Sequence, residues 1–192
     1  MSILFGMVGE IKMSKKYTRE QWLQKSLGAI SGKGFGRVVI DSIVTSLGVT
    51  KGSFYWHFKD RNDFLEKLIT YWDNTFTKIV MHHINESEAG PRERLLELML
   101  YITRNRLASY DAAITTLAHN EPQVTNQIAK VFESRMQFVA TLFAEMGYKG
   151  ADLEMRSRML VMFMSQEQNM PTQKPLKEQI KFMKKAYALL TS

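Results

Sequence analysis

Residues 50–58 read TKGSFYWHF, a run dense in groups that can do chemistry. Lys51 brings a cation, Ser53, Tyr55 and His57 bring hydrogen-bonding groups, and Phe54, Trp56 and Phe58 bring apolar rings. On a helix Phe54 and Phe58 share one face, because residues four apart lie one above the other. Lys51, Ser53, Tyr55 and Trp56 are then left toward the other side. That set suits a nucleic acid: Lys51 can reach a guanine edge or a phosphate, and Tyr55 can give its hydroxyl to a phosphate while its ring packs. Gly52 has no side chain to hold the backbone away from a duplex. A helix this short is marginal alone in water, so the two Phe rings must anchor it to neighbouring elements.

No other set of residues carries a comparable chemistry. His82 and His83 are adjacent and point about 100° apart on a helix, unlike the i, i+4 spacing of a metal pair. His119 lacks a partner at readable spacing. Gly32, Gly34 and Gly36 follow no strand and do not form G-x-G-x-x-G, so they read as turn glycines. There is no G-x-S-x-G and no cysteine, which removes thiol nucleophiles, thiolate metal sites and disulfides. The expectation is a protein that is not an enzyme and holds neither metal nor cofactor.

The charge is placed unevenly. Between residues 11 and 62 lie ten bases (Lys12, Lys15, Lys16, Arg19, Lys25, Lys33, Arg37, Lys51, Lys59, Arg61) against three acids (Glu20, Asp41, Asp60). The rest of the 192 residues holds sixteen of each, so the whole net charge of +7 sits in the first third. Such an asymmetry suits a polyanionic partner.

The elements that must position these residues all carry the helical period. Thr18 and Gln21 form a capping-box pattern ahead of Leu23, Leu27 and Ile30. Ile40, Ile43, Val44 and Leu47 make a short buried stripe closed by Gly48. Thr50 caps a third helix, and Asp60 with Asp63 opens a long fourth that keeps its stripe from Phe64 to Val80 before residues 85–90 break it. Pro91 sits at a first helical position ahead of Leu95, Leu98, Met99 and Ile102. Another stripe runs from Ile128 to Phe143 and closes at Gly147, and two more helices are expected near residues 151–168 and 176–190.

Two short helices joined by a tight Gly-containing turn in a basic three-helix region form a helix-turn-helix, whose second helix enters the major groove. Residues 34–68, GFGRVVIDSIVTSLGVTKGSFYWHFKDRNDFLEKL, closely resemble the N-terminal domain of the TetR family of transcriptional regulators. The shared features are a Gly-aromatic turn, a Gly-Val turn and a Tyr-x-His-Phe signature. The chain departs from that pattern at Val38 and Val39, where the family opens helix two with Thr or Ser, and at the bulkier Val44 and Leu47.

The resemblance implies an all-α homodimer: a three-helix helix-turn-helix domain over residues 17–63 (the motif itself about 38–57), after an N-terminal extension or arm of residues 1–16. A long helix joins it to a helical effector-binding and dimerisation domain over 64–192. It implies DNA-binding roles for Arg37, Thr50, Lys51, Gly52, Ser53, Tyr55, Trp56, His57, Lys59 and Arg61. Candidate effector residues are Met99, Ile102, Arg106, Thr115, His119, Phe132 and Met136, with Asp111 and Thr116 as further polar candidates. The last two helices are expected to pair two subunits through Met155, Met159, Met162, Phe163, Met183 and Tyr187, burying one apolar face in each.

The function expected is a ligand-responsive repressor, released from a palindromic operator on double-stranded DNA by a small, largely apolar molecule. No apolar run reaches the roughly 20 residues needed to span a bilayer, and the first thirteen residues lack a positively charged start and a small-residue cleavage site, so the chain reads as cytoplasmic. The alternative, a helical small-ligand carrier or adaptor with a degenerate DNA-binding domain, is motivated by the missing cap and the bulkier helix two.

Overall fold

The structure is a computed structural model that describes residues 16–33, 40–168, 170 and 174–192. Ten α-helices follow one another, with no strand among the described residues: α1 (Arg19–Lys33), α2 (Ile40–Leu47), α3 (Lys51–His57), α4 (Arg61–Asp73), α5 (Ile79–Asn85), α6 (Pro91–Asn105), α7 (Asp111–Asn120), α8 (Pro122–Glu145), α9 (Gly150–Glu167) and α10 (Leu176–Leu190). Thr18 and Gln21 close the capping box in both directions: Gln21 N–H donates to Thr18 Oγ1 at 3.2 Å, and Thr18 N–H to Gln21 Oε1 at 3.0 Å.

Two left-handed glycines end helices as the sequence suggests. Gly48 (φ +68°) ends α2, its N–H bonding the Thr45 carbonyl while that of Val49 bonds Val44. Gly147 (φ +100°) does the same after α8, with bonds from Gly147 to Ala144 and from Tyr148 to Phe143. Both are the paired bonds of a Schellman motif, which satisfies carbonyls that the helix leaves open.

The long fourth stripe is real but not one regular helix. A π-helical segment, Asn74–Lys78, joins α4 to α5 and ends as Ile79 N–H bonds the Asn74 carbonyl. A 3₁₀ turn, Leu107–Tyr110, likewise joins α6 to α7 after Arg106, a non-glycine residue at φ 52°. Neither was expected, since a stripe of apolar residues continues unbroken through a π turn, and a left-handed Arg carries no glycine to announce it.

Two hydrophobic cores result. The first joins Trp22, Leu27 and Ile30 of α1, Ile43 and Leu47 of α2, Phe54, Phe58, and Phe64 to Trp72 along α4 with Ile114 and Leu117 of α7 and Val124, Ile128 and Val131 of α8. The second gathers α5, α6, the later half of α8, α9 and α10 around Met99, Leu142, Phe143, Leu160 and Met183. Packing therefore does not divide at residue 63: the basic N-terminal helices share their core with α7 and the start of α8. The division there is one of charge.

Candidate nucleic-acid interface and effector cavity

Seven residues make α3, too few to hold a helix alone, and its sequence solves this from both sides. Thr50, in extended backbone, accepts Ser53 N–H on its hydroxyl at 3.2 Å. Phe54 and Phe58 are buried completely, stacked edgewise on Trp22 at 5.9 and 6.1 Å and tilted or edgewise against Phe64 at 5.5 and 5.0 Å. Burying each such ring is worth roughly 1.5–3 kcal/mol.

With the anchors inside, the other face of α3 points out. Lys51, Gly52, Tyr55 and Trp56 are exposed, Trp56 to 84%, while Ser53 and His57 are half-buried. A Cβ built on Gly52 meets only Thr50 Oγ1, at 3.7 Å, so nothing inside the chain requires glycine there. Lys51 Nζ lies 2.7 Å from Asp41 of α2, and this hydrogen bond and charge hold its ammonium above the usual lysine range.

The start of α4 is tightly built. Asp60 Oδ1 accepts Asp63 N–H at 2.9 Å, and Asp63 Oδ2 accepts Lys59 N–H at 2.9 Å and Lys67 Nζ at 2.7 Å. The Lys67 ammonium, then the Lys59 amide, hold the Asp63 carboxyl below its usual range. Lys59 is exposed, as a phosphate contact needs. Arg61 differs: its guanidinium pairs with Glu121, a 3%-exposed carboxylate at the α7–α8 junction. Its charge is engaged within the chain, so Arg61 joins α4 to α8 and is not an open cation. Gln123 adds to that seam through Asn62 (3.4 Å), and Gln127 through Thr70 (3.0 Å). Arg37, Val38 and Val39 lie outside the described residues.

A cavity of about 60 Å³ opens between the π segment, α6, α8 and α9, lined by Phe76, Val80, Leu98, Met99, Ile102, Val139, Leu160 and Met164 among others. Asp111 and Arg135 are the two charged residues in the lining. Arg135 Nη1 donates to Asp111 Oδ2 at 2.7 Å, and Arg135 Nε to Thr77 Oγ1 at 3.0 Å. Trp72 Nε1 donates to Asp111 Oδ1 at 3.2 Å, and the Arg135 guanidinium lies over the Trp72 ring at 4.6 Å.

Of the effector candidates, Met99, Ile102 and Asp111 line this cavity. Thr115, Thr116 and His119 instead turn back on α7, bonding the carbonyls of Asp111, Ala112 and Thr115. Arg106 caps α6. Phe132 and Met136 pack into the cores, Phe132 against Trp72 at 5.9 Å. Sequence reasoning missed Arg135 and Thr77. Arg135 had a visible sign, a cation in the apolar stripe between Val131, Phe132, Met136 and Val139; Thr77 had none, since only the π turn aims it inward.

On α9, Met155, Met159 and Met162 stand on one face, Met162 at 64% exposure. Phe163 is half-buried against Phe182, and Tyr187 packs on the second core. Met183 is completely buried inside the chain and offers no surface to a partner. It lies on the inward face of α10 because α10 packs on α6.

Residues 23–68 match the model of "Bacterial regulatory proteins, tetR family". Over these residues the chain is similar to the TetR family's N-terminal domain. Similar proteins include the HTH-type transcriptional regulator TtgR of Pseudomonas putida, 23% identical over 134 residues, 69% of this chain and 64% of that protein. AcrR of Shigella flexneri is 24% identical over 96 residues, half of this chain and 45% of the other. The chain thus spans 64% and 45% of these two relatives' lengths. A transcriptional regulator from Rhodococcus superposes with a TM-score of 0.69 at 14% identity, covering 91% of this chain and 94% of that one. Salmonella enterica GusR gives 0.66 at 19% identity, covering 92% and 97%. The TetR family is one of regulatory proteins, not enzymes, and no described helix is long and apolar enough to cross a membrane.

Proposed function

We propose that this protein is an effector-responsive transcriptional regulator: a homodimer that grips a palindromic operator through its two α3 helices and releases it when a small molecule enters the cavity. The domain roles follow the charge, with DNA contact in residues 17–63 and sensing and dimerisation in 64–192. The observation that carries the reading is the outer face of α3. Tyr55 and Trp56 lie exposed beside Lys51, and Gly52 is small where the fold makes no use of smallness. A glycine inside a helix costs about 1 kcal/mol relative to alanine, and close approach of the backbone to a duplex is a use for it. Thr50, Ser53, His57 and Lys59 flank that face.

A two-fold dimer holds its two α3 helices at a fixed separation, which must match half-sites about 34–36 Å apart or a multiple of that. The α4 start, clamped to α8 by Arg61 and Glu121, lies next to α3, and the other end of α4 meets the cavity through Trp72 and Asp111. A ligand that prefers one arrangement of these helices shifts the operator-competent population by that preference, and operator must weaken ligand binding by the same factor. The carrier reading lost one motive: Val44 and Leu47 fit the first core as buried residues.

Footprinting on the promoter region beside the protein's own gene, repeated over a series of salt concentrations, tests the proposal. The expected result is protection of a palindrome with binding that falls steeply as salt rises, the mark of phosphate neutralisation. Absence of duplex binding at low salt overturns it in favour of a carrier.

A further inference from the structure

We infer that the molecule this cavity takes is uncharged, apolar over most of its surface, and tipped by one hydrogen-bond acceptor that Arg135 receives. The inference rests on the effector reading of the cavity and adds the chemical class.

The argument begins with what the wall can offer. Hydrocarbon and thioether side chains from Phe76, Val80, Leu98, Met99, Leu160 and Met164 give no directional contact. Both oxygens of Asp111 are engaged, Oδ1 by Trp72 and Oδ2 by Arg135. Arg135 is different. A guanidinium has five N–H donors; Nε serves Thr77 and Nη1 serves Asp111, whereas Nη2 has no hydrogen-bond partner among the described residues. Ser165 and Thr77 add hydroxyls to the lining, Thr77 Oγ1 already accepting from Arg135 and Ser165 having a partner of its own; the charged donor with spare capacity in this wall is Arg135.

Charge then selects among acceptors. Arg135 and Asp111 are both largely buried, with side-chain exposures of 15% and 2%, and at 2.7 Å they cancel. A carboxylate ligand would add a negative charge to a balanced apolar chamber, and an ammonium ligand a positive one, each without a counter-charge and each stripped of water. A ketone, ester, ether or amide oxygen completes the guanidinium and leaves the sum at zero. The same guanidinium bonds Thr77 in the π segment and lies over Trp72 of α4, so the ligand's one polar atom is read at the point where α8 meets the helix leading to α3.

Calorimetry on the full chain with four probes sharing a six-carbon ring tests this: cyclohexane, cyclohexanone, cyclohexanecarboxylate and cyclohexylammonium. The ketone is expected to bind at least about tenfold more tightly than the other three, the scale of one charge-assisted hydrogen bond. Arg135→Met should reduce the ketone to the level of the hydrocarbon. Asp111→Asn leaves the guanidinium uncompensated, so there the carboxylate should become the tightest of the four. A carboxylate or ammonium that equals the ketone in the unaltered protein overturns the inference, as does a ketone advantage that survives Arg135→Met; should that variant fail to fold, the ranking in the unaltered protein and the Asp111→Asn reversal decide. Rings that bind without this ranking sink the inference and leave the effector cavity standing, while failure of all four to bind removes both.

Discussion

Lys51 has one negative partner in the free protein and would meet a second in the proposed complex. In the free protein its ammonium pairs with Asp41, and on DNA it would have to share itself with a phosphate or a base edge. Asp41 is also a negative charge on the face that the proposed complex would turn to a polyanion. Asp41→Asn is therefore expected to tighten duplex binding several-fold at low salt, and Lys51→Ala to weaken it across sequences and lower the salt slope by about one. Fluorescence anisotropy at several ionic strengths measures both; an Asp41→Asn protein that binds no better would show that the pair plays no part in DNA affinity. Asp63 offers a second measurement. Its carboxyl is depressed in the folded chain by Lys67 and the Lys59 amide, so its contribution to stability is complete above the ordinary carboxylate pKa of about 3.9 and is lost as pH falls through the lower folded value. Carbon-13 titration of that carboxyl should give a midpoint below the usual range, moved upward in Lys67→Ala.

At the scale of elements, α4 is secured at both ends. Near its start Arg61 meets the buried Glu121, and near its finish Trp72 reaches Asp111. Removing one partner of a buried pair leaves the other charge uncompensated. Because the Arg61 side chain is 25% exposed, Glu121→Ala should cost about 1–3 kcal/mol, read as a lower urea midpoint with an unchanged slope. The elements themselves were largely legible in the residues. Thr18 with Gln21, Thr50, Asp60, Gly48 and Gly147 each carry a local hydrogen bond or a left-handed turn that the nearby sequence dictates. What stayed hidden depends on distant partners. Nothing in the vicinity of Arg61 announces Glu121 sixty residues later, so a half-buried anchor reads as an exposed cation. The π segment escaped for a related reason: Phe76, Ile79 and Val80 fit a regular helix as well as a bulged one. The side chains of Thr115 and His119 bond carbonyls one turn back, a choice that spacing alone does not separate from pointing inward.

For the whole molecule, Met155, Met159 and Met162 on one face of α9 are exposed, as are Phe182 and Leu189 on α10. A two-fold interface would bury this surface in both subunits at once. Met162→Glu should therefore yield monomers by analytical ultracentrifugation with the fold retained, whereas Met183→Glu should unfold the chain, because Met183 belongs to the second core. A monomeric unaltered protein at micromolar concentration would count against the dimer.

The first core sets a rule for anyone rebuilding this protein as a biosensor. A chimaera that grafts residues 1–63 onto a foreign sensing module would strip Trp22, Phe54 and Phe58 of the α4, α7 and α8 side chains they share a core with, and the transplanted segment would arrive with an open apolar side. The portable unit is discontinuous: α1 to α4 together with α7 and the first turns of α8, whose Glu121 also holds Arg61. Exchanging specificity by cutting within α8, after Val131, and replacing the π segment, α5, α6 and the later helices keeps that unit intact. Sensor and reader in this chain interleave along the sequence, and the seam for engineering follows the packing.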